Sequence, residues 1–309
     1  MQKLLITLSV WLIFNVDLVL AEKYRGEVFR IINDPASTAM GFTGVSYPVS
    51  LPSTIMNPAS LSFAQDGAYF SHFELYGGFI SLENLCFKYN TERSDVTSGF
   101  YLTFLHSDPL EITQLRDANL GIVEGNIEVT GKDAYKFYLF TFAFGREVNE
   151  FSNFGLNLKL FRENFSNYQE NGAGLDIGYI ITFKDLNLGV TVRDAIFSFF
   201  TGNSSETSSP SINFGITKIN RELIWNVETD IFTDGHYPGS LLNVSNFSFD
   251  LKAGVEYRPT ESLGLRLGFY RGYFNAGAGL KIKRFNIDYS ISPNPELYTT
   301  HKIGAGLCF

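Results

Sequence analysis

The sequence predicts an all-β protein: a transmembrane, antiparallel up-and-down β-barrel of about fourteen strands with an N-terminal plug-like segment. Three observations support this fold class. Apolar and polar residues alternate along most of the chain. After the first twenty residues, no apolar run approaches the roughly 18 residues of a membrane helix. The chain also ends in an alternating segment with a terminal aromatic residue. Together these features favour strands as the membrane-crossing elements.

Residues 1–21 are typical of a secretory signal peptide. Met1–Lys3 is a short basic start, and the largely apolar stretch Leu4–Leu20 follows it. We expect cleavage after Ala21, where small residues occupy the positions that a signal peptidase reads. Asn15 and Asp17 interrupt the apolar stretch and disfavour a retained membrane anchor. The expected location is therefore the outer membrane of a bacterial cell, reached by export.

Residues 22–66 form a second unit, which lacks alternation. They nevertheless contain apolar side chains such as Ile31, Met40, Phe42 and Phe63, whose exposure to water would be unfavourable. We therefore expect this unit to pack inside the barrel as a small plug, and the alternative is a periplasmic tail. The barrel itself is predicted to span residues 67–309.

The last third of the chain shows the clearest strands. Alternation is strict within Phe247–Tyr257, Leu263–Phe269, Phe274–Ile282 and Phe285–Ile291, as expected of strands with one apolar and one polar face. In a membrane barrel the apolar face contacts lipid and the polar face lines the lumen. The charged residues that this pattern assigns to the lumen are Asp250, Lys252, Glu256, Arg266 and Asp288.

Noisier strands precede this region. They are predicted at Ala68–Phe73, Phe79–Tyr89, Phe100–Leu105, Tyr135–Phe144, Phe154–Leu160, Ala173–Phe183, Leu186–Arg193, Ile212–Ile216 and Leu223–Ile231. Longer connections fall at His106–Lys132, Thr201–Pro210 and Thr233–Asn246, as candidate extracellular loops or lumen plugs. A soluble β-sandwich would alternate in the same way. Sequential strands of about ten residues, mostly short turns and aromatic residues near strand ends favour the membrane barrel.

The C-terminal segment resembles the targeting strand of bacterial outer-membrane proteins. Its constrained positions are Lys302, Gly304, Leu307 and the terminal aromatic Phe309. The resemblance implies recognition by the barrel assembly machinery and insertion among outer-membrane lipids. The alternative is a soluble edge strand that ends on phenylalanine by chance.

The region after the signal peptide resembles the opening of the PorV/PorQ family, which is similar to the FadL-type long-chain fatty acid transporters. The residues that carry the resemblance are Met40, Gly41, Gly44, Asn57, Pro58, Ala59 and Leu61. Two features depart from the family pattern: Ser60 stands where a glycine is usual, and Phe42-Thr43 interrupts the usual glycine cluster.

The resemblance implies two alternative functions. A PorV-like barrel takes part in protein secretion to the cell surface, with components of a type IX-like secretion system and cargo proteins as partners. A FadL-like barrel instead transports hydrophobic small molecules through an apolar lumen pocket and a lateral wall opening. The lumen charges of the C-terminal strands disfavour an apolar conduit beside them, but the strands between Phe79 and Phe144 remain free to line one. We favour secretion; a third possibility is a closed barrel without a pore.

No catalytic chemistry is recognisable in the sequence. The four histidines are scattered, and the motifs of serine hydrolases and zinc proteases are absent. We therefore expect a non-enzymatic protein without cofactor or metal; a barrel phospholipase would be the enzymatic alternative. The formal charge of -8 argues against nucleic acid as a partner, because phosphate binding needs a basic face.

Overall fold

The computed structural model describes residues 31, 34–90, 95–123, 125–201, 204–233, 240–293 and 298–309. The predicted signal peptide lies outside these residues. Strands make up most of the described chain, whose helices are short: α1 (Pro35–Ala39) and 3-10 turns at Pro52–Met56, Pro58–Phe63 and Tyr76–Gly78. None of these helices is long and apolar enough to cross a bilayer.

The described strands are β1 (Gly67–Leu75), β2 (Ile80–Tyr89), β3 (Val96–Ser107), β4 (Leu110–Leu115), β5 (Ile127–Asp133), β6 (Lys136–Asn149), β7 (Ser152–Phe165), β8 (Tyr168–Phe183), β9 (Leu186–Thr201), β10 (Ser204–Thr207), β11 (Ser211–Ile219), β12 (Leu223–Phe232), β13 (Leu242–Val244), β14 (Phe247–Thr260), β15 (Leu263–Tyr270), β16 (Tyr273–Ile282), β17 (Phe285–Ser292) and β18 (Thr300–Cys308).

Fourteen of these strands form one closed antiparallel barrel. Each barrel strand pairs with the next one along the chain, and β18 pairs with β1 to complete the circle. The short strands β10 and β13 extend the edges of β9 and β14, whereas β4 and β5 form a separate hairpin. The predicted all-β antiparallel barrel and its strand number are therefore confirmed. That the N-terminal segment acts as a plug stays a prediction.

The two ends of the barrel differ in their connections. At one end, which we call the turn end, two residues suffice to join β6 to β7, β8 to β9, and β16 to β17. The longest connections all lie at the opposite end, the loop end, where the β4–β5 hairpin joins β3 to β6. Short turns at one end and long loops at the other are typical of outer-membrane barrels.

The barrel wall has an apolar outer face and a polar inner face. On β6, Phe140, Phe142 and Phe144 point outward and are each more than a third exposed. Side chains one position away point inward, and Thr141, for example, is fully buried. A soluble sandwich would hide its apolar face between two sheets, so this arrangement separates the membrane-barrel architecture from that alternative.

Strand β9 is longer than the alternation predicted. It continues past Arg193 to Thr201, and a bulge interrupts its pairing with β8 between Leu175 and Ile177. Extra residues in one strand shift the side-chain period, so the segment after the bulge no longer continues the earlier alternation. The sequence pattern therefore ended the strand too early.

Candidate functional site

The N-terminal segment, residues 34–63, lies against the inner face of the barrel, where glycines make room for it. At Gly268 a Cβ atom would lie only 1.9 Å from the Gly41 nitrogen, and at Gly155 it would lie 2.3 Å from the Ala59 nitrogen. Gly41 itself has a left-handed φ of 71°. A Cβ atom at this position would lie only 2.5 Å from the carbonyl oxygen of Ala253. Inward-facing glycines thus accept this segment at van der Waals distance.

Polar contacts hold the same segment to the wall. The backbone N–H groups of Gly44 and Val45 donate to the carboxylate of Glu228 at 2.9 and 2.7 Å. The Asn57 side-chain amide donates to the Val45 carbonyl at 2.7 Å, and its oxygen accepts from the Ala59 N–H at 3.0 Å. The second of these bonds caps the turn Pro58–Phe63.

The residues of the family motif therefore share one environment inside the barrel. Met40, Asn57, Pro58, Ala59 and Leu61 are all buried. Gly44 faces the Met56 sulfur, which would lie 2.7 Å from a Cβ at that position. The motif residues nevertheless pack on different parts of the wall, because Met40 belongs to a cluster with Ala36 and Val49, and Leu61 belongs to one with Tyr69 and Tyr101.

The five predicted lumen charges are all buried inside the barrel, and each has a partner of opposite sign. Arg266 lies 2.5 Å from Asp288 and 3.4 Å from Glu256. Lys252 pairs with Asp230, and Asp250 pairs with Arg271, both at 2.5 Å. Alternation along a single strand does not identify the partners Asp230 and Arg271, because it carries no information on pairing across strands.

A further buried ion cluster lies at the β9 bulge, and the sequence pattern did not predict it. The Lys159 ammonium lies 2.6 Å from Asp176 and 2.8 Å from Asp194, and all three side chains are at most 3% exposed. Asp194 has a left-handed φ of 53°, and its N–H donates to Asp176 at 2.8 Å. These three residues fix the backbone where the alternation breaks.

The C-terminal strand β18 completes the barrel. Lys302 points inward, with its ammonium 4.1 Å from the centre of the Phe73 ring. Gly304 lies beneath the Tyr69 ring, and Leu307 and Phe309 are exposed on the outside. The role of this strand as a targeting signal stays a prediction.

One part of the inner wall is apolar. It consists of eight side chains that are each at most 6% exposed and that we call the apolar lumen cluster: Phe73, Leu82, Leu105, Phe137, Leu139, Phe161, Phe197 and Phe199. They lie near the loop end, at the ends of β1, β3, β7 and β9 and the beginnings of β2 and β6. Strands β2, β3 and β6 include the region that the sequence left free for an apolar conduit.

Stacked phenyl rings organise this cluster. The Phe161 ring centre lies 5.9 Å from that of Phe137 and 5.6 Å from that of Phe197, with interplanar angles of 27° and 23°. Phe199 meets Phe161 edge-on at 5.3 Å. Offset stacking and edge-to-face contacts are the favoured geometries of aromatic pairs.

Two cavities border the N-terminal segment. The loop-end cavity, of about 270 Å³, is lined by apolar side chains that include Ile31, Phe42 and Leu75 and by the charged side chains of Arg193, Asp230, Lys252, Arg271 and Lys302. Ile31 and Leu75 also pack against the apolar lumen cluster. The turn-end cavity, of about 830 Å³, is lined by residues 47–51 and by charged side chains such as Arg258 and Glu261. The apolar lumen cluster is therefore adjacent to the loop-end cavity.

The wall beside the loop-end cavity is interrupted. The β9–β11 ladder ends at Arg193 and Ser211, both of which line this cavity, and the β9–β10 ladder begins at Ser198. In the interval between them, the Ser208 N–H donates to the Phe197 carbonyl at 3.2 Å. The loop-end cavity thus lies next to a break in the strand pairing of the wall.

Comparisons with known proteins identify a fold. No family model and no curated protein matches the chain. Among solved structures, the Ralstonia pickettii toluene transporter TbuX matches with 14% identity and a TM-score of 0.62, over 91% of this chain and all of that one. The P. putida toluene transporter TodX matches with 13% identity and a TM-score of 0.64, over 90% and 99% of the two chains. The monoaromatic hydrocarbon channel CymD matches with 11% identity and a TM-score of 0.63, over 90% and 97%. The chain therefore shares the barrel fold of these three structures.

Proposed function

We propose that this protein is an outer-membrane barrel that conducts small hydrophobic molecules, with the loop end outside the cell. The observation that carries the proposal is the apolar lumen cluster at the loop end of the barrel. The solved structures with this fold that are described as transporters or channels for monoaromatic hydrocarbons support the same conclusion.

The cluster provides apolar surroundings, which favour the transfer of a hydrophobic molecule out of water. Apolar transfer contributes roughly 25 cal/mol for each Å² removed from water, and Ile31, Phe42 and Leu75 line the cavity beside the cluster with apolar surface. The adjacent cavity of about 270 Å³ has room for a compound of a few carbon atoms or one ring. A lumen that served only to close the barrel would have no need of an apolar wall beside this cavity.

The proposed route leaves the lumen sideways. The N-terminal segment acts as the plug that separates the loop-end cavity from the turn-end cavity. The interrupted pairing between β9 and β11 supplies the lateral opening that the FadL-like resemblance implies. A hydrophobic molecule would then pass from the loop-end cavity into the bilayer without crossing the N-terminal segment or the turn-end cavity.

Uptake of radiolabelled toluene by cells tests the proposal. A strain that lacks this protein should take up toluene more slowly than the same strain carrying the gene. Replacement of Leu105, which is 2% exposed in the cluster, by Asp should remove most of the gain. Leu105→Met, which conserves volume, should keep it. Equal uptake with and without the protein would contradict the proposal.

The surface-export role implied by the PorV/PorQ resemblance stays a prediction, since no family model matches the chain. The same strains distinguish the two functions. If toluene uptake is normal without the protein and proteins are lost from the cell surface, export is the function. We expect the opposite pattern, with slowed uptake and an unchanged set of surface proteins.

A further inference from the structure

We infer that Phe42 is the residue of the N-terminal segment that contacts the transported hydrophobic molecule, here called the guest. Its ring lines the loop-end cavity and makes this cavity bind an aromatic ring in preference to a saturated ring of the same size. The inference rests on the proposed function and assigns a specificity-determining residue to it. It also makes the N-terminal segment a wall of the binding site.

Phe42 differs from its neighbours in its exposure. From Asp34 to Ser46, every other residue of the segment is buried, whereas Phe42 is only half-buried. Its ring borders the loop-end cavity of about 270 Å³. An apolar side chain that served only to pack the segment against the wall would be buried like its neighbours. The open part of the Phe42 ring is therefore available to a guest in this cavity.

The backbone at Phe42 adopts a conformation that large side chains disfavour. Its φ is 64°, in the left-handed region, where a bulky residue is a clear outlier. Glycine or asparagine would adopt this conformation at lower cost in free energy. Residues held in such conformations are concentrated at ligand sites, where the surrounding structure fixes them. The strained backbone and the half-buried ring together indicate a role in the cavity rather than in stability.

Hydrogen bonds on both sides fix the position of the ring. The Phe42 N–H donates to the Ser37 carbonyl at 2.8 Å, where α1 ends. The next residue, Thr43, donates its hydroxyl to the Met40 carbonyl at 3.0 Å, and its own carbonyl accepts from the Ser37 hydroxyl. The ring is thus held in place before a guest arrives, which reduces the entropy lost on binding.

Phe42 lies between the loop-end cavity and the apolar lumen cluster. Its ring meets that of Tyr270 edge-on, with centres 5.2 Å apart and an interplanar angle of 61°. The Lys302 ammonium lies 5.3 Å from the centre of the Phe42 ring and 4.1 Å from that of Phe73, a member of the cluster. An aromatic guest can stack on Phe42 or meet its edge, and can present its π face to the ammonium. A saturated ring of the same size gains only the burial of apolar surface.

The experiment compares toluene with methylcyclohexane, which has the same carbon skeleton without the π system. Uptake of each probe is measured in cells carrying the wild-type protein or Phe42→Leu, and the uptake of a strain without the protein is subtracted. Leucine keeps an apolar side chain but removes the ring. We expect the ratio of toluene to methylcyclohexane uptake to fall about twofold to tenfold, the range that one aromatic contact gives.

Phe63→Leu is the matched control. Phe63 also belongs to the N-terminal segment and is 38% exposed, but its ring lines the turn-end cavity. The uptake ratio of this variant should equal that of the wild type. An equal fall in both variants would overturn the inference, because the effect would then not depend on the loop-end cavity.

A second variant separates the role of the ring from a role in folding. Asparagine tolerates a left-handed φ better than phenylalanine does, so Phe42→Asn removes the ring and also relieves the backbone. We expect this variant to form a heat-modifiable barrel that unfolds close to the wild-type urea concentration, with the same lowered uptake ratio as Phe42→Leu. A ring needed only for packing would instead lower the urea concentration of unfolding and leave the ratio unchanged.

The outcomes separate the inference from the proposed function. If the wild-type protein accelerates toluene uptake and the folded variants without the Phe42 ring keep its uptake ratio, the inference is wrong and the proposed function stands. If neither variant forms a barrel, Phe42 is a structural residue and the inference is also wrong. If the wild-type protein accelerates uptake of neither probe, the proposed function is wrong and the inference falls with it.

Discussion

Single side chains inside the barrel divide its lumen into two chemical regions. The walls that include β14, β15 and β17 carry paired charges such as Arg266 with Asp288, whereas the loop-end wall carries the phenylalanines of the apolar lumen cluster. Buried charges are tolerated only when they are paired. Pairing therefore offsets the cost of burying the charges, and the apolar region is the place that we propose for a hydrophobic guest.

The buried ion cluster at the β9 bulge gives a prediction at this scale. Lys159→Met leaves Asp176 and Asp194 buried without their shared cation, and removal of one partner from a buried pair costs about 3 to 5 kcal/mol. We expect the variant barrel to unfold at a clearly lower urea concentration than the wild type. Urea titration followed by heat-modifiable migration on gels measures the difference.

The control for this prediction is an exposed ion pair on the same molecule. Lys218 lies 3.4 Å from Asp185 at the turn end, with both side chains more than 40% exposed. Exposed pairs contribute about 0 to 1 kcal/mol, so Lys218→Met should unfold close to the wild-type urea concentration. Equal shifts for both variants would show that burial of the Lys159 cluster has no effect on stability.

At the scale of elements, the N-terminal segment depends on Glu228 of β12. This carboxylate is the acceptor for the backbone N–H groups of Gly44 and Val45. Each buried donor left without an acceptor costs about 1 to 3 kcal/mol. We expect Glu228→Ala to loosen the segment and to raise the ion conductance of the barrel in planar lipid bilayers.

The matched control is Glu261→Ala, in the exposed turn between β14 and β15. This carboxylate lines the turn-end cavity, and its removal should leave the conductance low. A barrel that conducts ions equally well with and without the Glu228 carboxylate would contradict the proposed role of the segment as a plug.

The closing strand β18 gives a third prediction. Phe309 donates its N–H to the Asp66 carbonyl at 3.0 Å, and its ring lies 5.7 Å from that of Phe87 on the outside of the barrel. Deletion of Phe309 should reduce the amount of folded, heat-modifiable barrel in outer-membrane fractions. Phe274→Ala, which removes another exposed outward phenylalanine, should not. Undiminished insertion of the deletion variant would argue against the targeting role.

The elements also show what alternation can and cannot predict. The strands from β14 to β17 were predictable, because their pattern is unbroken and each inward position is polar or small. Strand β9 was predictable only as far as Arg193, since the bulge at Asp194 shifts its period. Strands β6 and β7 gave a blurred pattern because Phe137 and Phe161 place apolar side chains on the inner face as well.

The candidate site could be predicted from the sequence only in part, for the same reason. The five lumen charges follow from their positions in clear strands, whereas their partners and the apolar lumen cluster depend on contacts between strands far apart in sequence. Phe73 and Phe197, for example, lie more than a hundred residues apart in the chain and belong to one cluster. Blurred alternation was the one signal that pointed to this wall.

At the scale of the whole molecule, closure of the barrel gives the chain an outer and an inner surface that differ in polarity. The outer face is apolar and suited to lipid, and the inner face combines paired buried charges, an N-terminal segment held by glycines, and the apolar lumen cluster at the loop end. We propose that a hydrophobic molecule passes from the loop end toward the bilayer. The proposal depends on the binding of such a molecule at the apolar lumen cluster.

Crystallographic localisation of 4-bromotoluene in the purified barrel tests this claim most directly, because bromine gives an anomalous signal that marks its position. We predict a bromine peak at the loop-end cavity or among the rings of Phe137, Phe161 and Phe197. The peak should disappear in Leu105→Asp and persist in Leu105→Met. Bromine bound only on the outer face, or in the charged turn-end cavity, would contradict the account.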